Sequence, residues 1–230
     1  MKSLSVSTCL DTDTVEMNLG DTQELTVIGA NKQLVLPRIL GLSGRPGGGK
    51  DTHGDMLAPH YGYEMLRTSG ALREYVAHNP DSDWSLAIQE AMNTGGLASD
   101  HITASVVTPA LVTRMKVAKI IPIGFPRNLS QYELYRSILK NEGIDDDLTL
   151  HFDISEELAT QRILAGNRGR NDDTPETVAK RMKVYQEQTA PMVDAMDRDG
   201  KLLRVSIKDL NEPKEQVQAR AREVLESAFN

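Results

Sequence analysis

The residues with the plainest chemical meaning lie in Gly44-Arg45-Pro46-Gly47-Gly48-Gly49-Lys50-Asp51-Thr52. Their spacing fits G-x-x-x-x-G-K. Glycines in such a run fold the backbone tightly and turn successive N–H groups into one concavity. A lysine at its end reaches the β- and γ-phosphates of a nucleotide. The next position ordinarily carries Ser or Thr. Here it carries Asp51, and the hydroxyl follows at Thr52. A glycine-rich surface turn is the plain alternative. The apolar run Ile39-Leu40-Gly41-Leu42 before the loop, and a helix-compatible stretch after it, favour phosphate binding.

The other candidates are mostly arginines. Arg73 follows Arg67-Thr68-Ser69-Gly70. Arg127 follows Gly124-Phe125-Pro126, with Gln131 four residues on. An arginine at the end of a strand suits phosphate, because its planar fork donates to two oxygens at once. Gln131 shares the side of Arg127 if a helix starts there. Arg162, Arg168, Arg170 and Arg181 flank Asp172 and Asp173. Singly, each reads as a solvated surface residue. In a chain of net charge −7 they point together to a multiply charged ligand. Gly95-Gly96-Leu97-Ala98-Ser99-Asp100 alone is a turn that ends one helix and caps another.

Alternating elements must position these groups. Apolar strands are expected near 38–43, 63–67, 118–123, 148–154 and 201–207. Helices are expected near 50–58, 70–79, 84–93, 100–116, 130–141, 156–165, 175–196 and 213–228. Short apolar runs separated by helices predict βαβ units and a parallel sheet covered on both faces. Ligands of such sheets bind beyond the carboxyl ends of the strands. Thr68 or Ser69 can cap one helix, and Thr174 with Pro175 opens another. Val178, Met182 and Tyr185 follow helical spacing and read as core. Residues 1–37 differ, being rich in Ser, Thr and Asp with strand-like runs at Leu25–Ile28 and Leu34–Leu36. They read either as a hairpin or as disordered chain.

Composition narrows the classes. A length of 230 residues suits one large domain or a core with small inserts, and 39% hydrophobic content can fill a sizeable core. The negative balance argues against a broad nucleic-acid footprint. Cys9 is the only cysteine, so no intrachain disulfide can form. No stretch has signal-peptide or membrane-span character. A soluble, cytoplasmic protein is expected.

Taken in order, Gly44–Thr52, Thr68–Arg73, Gly95–Asp100, Gly124–Gln131 and Arg168–Arg181 resemble the adenylate kinase family of nucleoside monophosphate kinases. Tyr185 and Gln188-Thr189-Ala190-Pro191 extend the match, which runs from about Arg38 to Phe229. The resemblance implies a P-loop α/β/α fold with a five-stranded parallel sheet. It also implies a helical monophosphate-binding insert near 67–98 and a short lid near 166–174. The reaction implied is phosphoryl transfer from Mg-ATP to a nucleoside monophosphate. Gly44, Pro46, Gly47, Gly48, Gly49, Lys50, Asp51 and Thr52 would hold ATP, with Arg162 on its base. Thr68, Arg73, Ala98, Gly124, Arg127 and Gln131 would form the acceptor site. Lys50, Arg127, Arg168, Arg170 and Arg181 would serve the transfer, and Asp172 and Asp173 would tie the lid. Gln131 leans the acceptor toward AMP, since an amide matches the edge of adenine. A monomer is expected, with residues 1–37 as an extension to a 38–230 core.

The chain also departs from the family pattern. Ile123 stands where the family usually has an Asp that helps hold hydrated magnesium, and an isoleucine cannot ligate a hard cation. Asp51 either takes over part of that anchoring or merely caps the helix and pairs with Lys50. Pro122 removes a donor from a strand expected to be interior. The lid is very short and carries no cysteine for zinc, so some ATP hydrolysis is expected beside transfer. A UMP or CMP acceptor is an alternative, as is a nucleotide-binding paralogue with little catalysis. Ile123 favours the paralogue; Lys50 and the arginines favour a kinase.

Overall fold

The computed structural model describes residues 35–165 and 174–229, together with the backbone of 6–7, 14–18 and 24–28. They fall into two units. The first holds an antiparallel sheet of β1 (Val6–Ser7), β2 (Thr14–Asn18) and β3 (Glu24–Ile28), in that order. Leu25–Ile28 is thus a strand, with Leu25 opposite Met17. The second expected run is not: Val35 and Leu36 lie in irregular chain, and Leu34 falls outside the described residues. A strand needs a neighbour for its N–H and C=O groups, and among the described residues no pairing reaches Val35 or Leu36.

The second unit spans Leu36–Ala228. It begins with β4 (Ile39–Gly44), α1 (Lys50–Tyr61) and β5 (Tyr63–Arg67), then the helices α2 (Thr68–His78), α3 (Asp83–Asn93) and α4 (Asp100–Met115). It continues with β6 (Lys119–Ile123), α5 (Leu129–Asn141), β7 (Asp147–Asp153), α6 (Glu156–Ala165) and α7 (Pro175–Val184). A π-helical turn over Tyr185–Thr189 leads into α8 (Ala190–Arg198), β8 (Leu202–Ser206) and α9 (Lys214–Ser227).

The five strands of this unit form one parallel sheet in the order β5-β6-β4-β7-β8. The central strand β4 opens on the apolar run Ile39–Leu42, and Ile39 and Leu40 are wholly buried. Such a run suits a strand covered on both faces. One face carries a core in which Ile39 and Ile120 meet Leu111 of α4, Leu139 of α5 and Met192 of α8. The other face meets α1, where Gly54 lies against Leu42, Met65 and Ile123. Helix α9 covers this side with α1 and β8. Pro122 sits in interior strand β6, opposite Leu66 of β5, and contributes no N–H to the ladder.

Helices α2, α3 and α4 carry a smaller core of their own, built on Leu72, Ile88 and Ile102. Their caps follow from sequence. Ser82 accepts from Ser85 N–H, and Ser99 accepts from Ile102 N–H, each closing a first turn. Helix α7 opens as expected, on Thr174 with Pro175 behind it. At α2 the expectation of a Thr68 or Ser69 cap is corrected. The N-cap position is Arg67, no side chain caps the helix, and Thr68 is already its first residue. The expected continuous helix over 175–196 is likewise broken by the π turn.

Candidate active site

The glycine loop leaves β4 and enters α1 at Lys50. Gly49 takes the N-cap position of the helix and has no side chain with which to cap it. Glycine is required at Gly47, where φ is +88° and a β-carbon would lie 2.7 Å from the carbonyl oxygen of Ala159. The loop closes on a hydrogen bond from Gly48 N–H to Arg45 O at 3.0 Å. Arg45 is held too: its Nε donates to Ile154 O at 3.1 Å, and its guanidinium lies 4.7 Å from the centre of the Tyr185 ring.

Above the loop is a cavity of about 260 Å³, at the carboxyl ends of β4 and β6. Gly44, Pro46, Gly47, Lys50 and Asp51 line one wall. Arg73, Gly124, Arg127 and Arg181 line the others. Three arginines from separate elements thus converge with one lysine, an arrangement fitted to phosphate. Lys50 Nζ lies 3.8 Å from Asp51 Oδ2. Asp51 is not the N-cap residue. It sits in the first turn of α1, where its charge is favourable to the helix dipole, and pairs loosely with Lys50.

A second cavity of about 100 Å³ is lined by Thr68, Ala98 and Gln131, and it shares Gly124 and Arg127 with the first. Arg127 is held at three places. Its N–H donates to Gln131 Oε1 at 2.9 Å, its Nε donates to Gly124 O at 3.1 Å, and its carbonyl accepts from Thr189 Oγ1 at 2.8 Å. Gln131 is buried, and its Nε2 donates to Asp100 Oδ1 at 2.8 Å. Asn128 caps α5 by accepting from Gln131 N–H and also donates to Asp100 Oδ1, at 2.7 Å. The Thr68 hydroxyl is buried and has no hydrogen-bond partner among the described residues. A buried hydroxyl without a partner is costly in a folded protein, so its place in this wall marks where a polar ligand atom would be satisfied.

Other candidates fall elsewhere. Arg162 lines neither cavity; its Nε approaches Leu210 O at 3.4 Å. Gly48, Gly49 and Thr52 are also absent from both linings, and Thr52 is exposed on α1. Arg168, Arg170, Asp172 and Asp173 lie outside the described residues. The larger cavity includes residues that the sequence did not single out as site residues: Ser43, Ser69, Tyr185 and Thr189. Tyr185 is buried as its spacing predicts, yet its residue also forms part of this wall. Its hydroxyl lies 3.4 Å from Nε2 of His151 in β7. Burial lowers the pKa of that imidazole to about 4, since desolvation disfavours the charged form.

Among the described residues no group of three His, Cys, Asp or Glu side chains could hold a metal ion. An ion arriving with a nucleotide needs less. Magnesium keeps several waters and takes one or two carboxylates plus phosphate oxygens. Asp51 on the cavity wall meets that minimum. Ile123 does not contribute, being buried against α1.

Strand, glycine loop and helix, under a cleft of converging cations at a parallel sheet's carboxyl edge, define a P-loop nucleotide-binding protein. Comparison with known proteins is more specific. A family model described as Adenylate kinase matches residues 42–201. The adenylate kinase of Synechococcus sp. is 34% identical over 195 residues, covering 83% of this chain and 97% of its own. That of Prochlorococcus marinus is 33% identical over 172 residues, covering 73% and 91%. That of Corynebacterium urealyticum is 30% identical over 175 residues, covering 74% and 93%. The chain belongs to the adenylate kinase family, as a nucleoside monophosphate kinase.

Proposed function

We propose that the protein transfers the γ-phosphoryl group of ATP to AMP, yielding two ADP. The observation that carries this is the pair of adjoining cavities with Arg127 in the wall of both. The larger, with the glycine loop and Lys50, is the donor-phosphate and transfer space. The smaller, with Thr68, Ala98 and the Gln131 amide, is the acceptor-base site. Arg73 and Arg127 then take the acceptor phosphate, and Arg181 meets the transferred group. By family resemblance, Arg162 would serve the donor base, Arg168 and Arg170 the transferred group, and Asp172 and Asp173 would tie the lid.

Phosphoryl transfer passes through a loose transition state whose charge spreads over the equatorial oxygens. The chain's part is to set two nucleotides in line, neutralise that charge with Lys50, Arg127 and Arg181, and keep water from the γ-phosphate. Magnesium would enter with ATP, held by phosphates, water and Asp51; when bound it neutralises charge between the β- and γ-phosphates. Lys50, Arg127, Gln131 and Arg181 all come from one chain, which supports a monomer as the working unit. Nucleotide substrates favour a cytoplasmic place in nucleotide supply.

A coupled assay with ATP and each of AMP, UMP, CMP and GMP tests the reading. AMP should give the highest kcat/KM by a wide margin. A preference for UMP or CMP, or nucleotide binding with turnover of none, would overturn it.

A further inference from the structure

The smaller cavity holds a discriminating device that the reaction does not require. Adenine offers a donor at its 6-amino group and an acceptor at N1. A 6-oxo purine offers the reverse, an acceptor at O6 and a donor at N1. A terminal amide could serve either base, because a half-turn about its last bond exchanges oxygen and nitrogen. Gln131 is not so placed. Its Oε1 accepts from Arg127 N–H at 2.9 Å, and its Nε2 donates to Asp100 Oδ1 at 2.8 Å. After a half-turn the NH2 group would face the Arg127 N–H and the amide oxygen would face the Asp100 carboxylate. A donor would oppose a donor and an acceptor an acceptor, in a buried site where unmet polar groups are costly.

The backbone N–H of Arg127 cannot adapt, since it has no alternative chemistry. Asp100 is anchored as well. It opens α4 directly after the Ser99 cap, and the same Oδ1 accepts from Asn128 Nδ2 at 2.7 Å. A carboxylate offers only acceptors. Two of the four hydrogen-bonding positions of the Gln131 amide are therefore used on the protein, leaving one N–H and one lone pair for a base. That remaining pair suits the N1 and 6-amino edge of adenine.

We propose that Asp100 is a specificity-determining residue: it locks the Gln131 amide in the orientation that accepts AMP and rejects 6-oxo purine monophosphates. It acts through Gln131 and is a positioning residue. The proposal rests on the reading of the smaller cavity as the acceptor-base site.

The test compares kcat/KM for AMP and for IMP, which differ only in the 6-substituent and the N1 proton that goes with it, in the full-length wild type, Asp100→Ala and Asp100→Asn. Asparagine keeps the shape of the site but no longer offers acceptors alone, so one of the two contacts that fix the amide is relaxed and the Arg127 N–H is left as the other. In both variants the AMP-to-IMP ratio should contract about tenfold, the size of one polar contact. The fall should come from a weaker KM for AMP, a gain with IMP, or both. A general structural defect lowers the two substrates together and leaves the ratio unmoved. An unchanged ratio in Asp100→Asn, with wild type selective for AMP, would overturn the role of Asp100. A wild type that does not favour AMP over IMP would overturn the acceptor-site reading beneath it, and the proposal with it.

Discussion

At the scale of residues, the site is a set of cations and one amide whose neighbours fix them in place. Lys50 is the direct case, standing at the helix mouth in the cavity wall. Lys50→Met removes a charge that acts where transfer charge develops. It should lower kcat by about 10²–10³-fold while the fold survives, as steady-state kinetics and circular dichroism would register. Asp51→Ala should raise the Mg²⁺ concentration needed for half-maximal turnover. A Mg²⁺ titration unchanged from wild type would show that Asp51 serves only the helix and Lys50. Spacing made Lys50 and Arg127 legible as phosphate-facing groups, because each stands at a fixed offset from a glycine or proline turn, while the role of Gln131 came with the family resemblance. Thr68 was assigned to the acceptor site by the family resemblance alone, since from its own position a capping hydroxyl and one facing a ligand look alike in sequence. Thr189 could not be tied to Arg127 from the chain alone, as 62 residues separate them.

At the scale of elements, strands and helices followed closely from apolar runs and caps. The π turn did not. Pro191, near the start of α8, has no N–H to offer the carbonyl of Glu187, and hydrogen bonding over Tyr185–Thr189 shifts by a residue. Side-chain periodicity hardly changes across one such turn, so pattern reading continues the helix. The turn brings both Tyr185 and Thr189 to the cavity wall. The junction between α3 and α4 is equally tight against α7. Gly95 has φ +70°, and a β-carbon there would lie 2.8 Å from Thr177 Cγ2 and 3.3 Å from Arg181 Cγ. Gly95→Ala should therefore destabilise by about 1–3 kcal/mol in chemical denaturation. It should also lower turnover, because α7 cannot yield without shifting Arg181.

At the scale of the whole molecule, buried histidines make stability depend on pH. Burial holds His151 near 4 and also lowers His53, against an ordinary value of 6.5. A depressed histidine binds fewer protons folded than unfolded between those values, so stability rises with pH through that window. It is fully present above about 6.5 and is lost as pH falls toward 4. For His151 the loss is on the order of 3 kcal/mol. Tm measured from pH 7 to pH 4.5 should fall, and His151→Gln should flatten the slope. The order of phosphate loop, acceptor segment and arginines was legible along the whole core, since each is local. The relation of Asp100 to Gln131 was not, because it exists only once α4 and α5 lie side by side.

The central claim is that one chain binds two nucleotides end to end, with their phosphates meeting beside Lys50 and Arg127. Titration calorimetry with two adenosines joined by a pentaphosphate tests it most directly. The expected result is one molecule bound per chain, far more tightly than ATP or AMP alone, with both nucleotides excluded from the saturated protein. Two molecules bound per chain, or AMP still binding to the saturated protein, would contradict it.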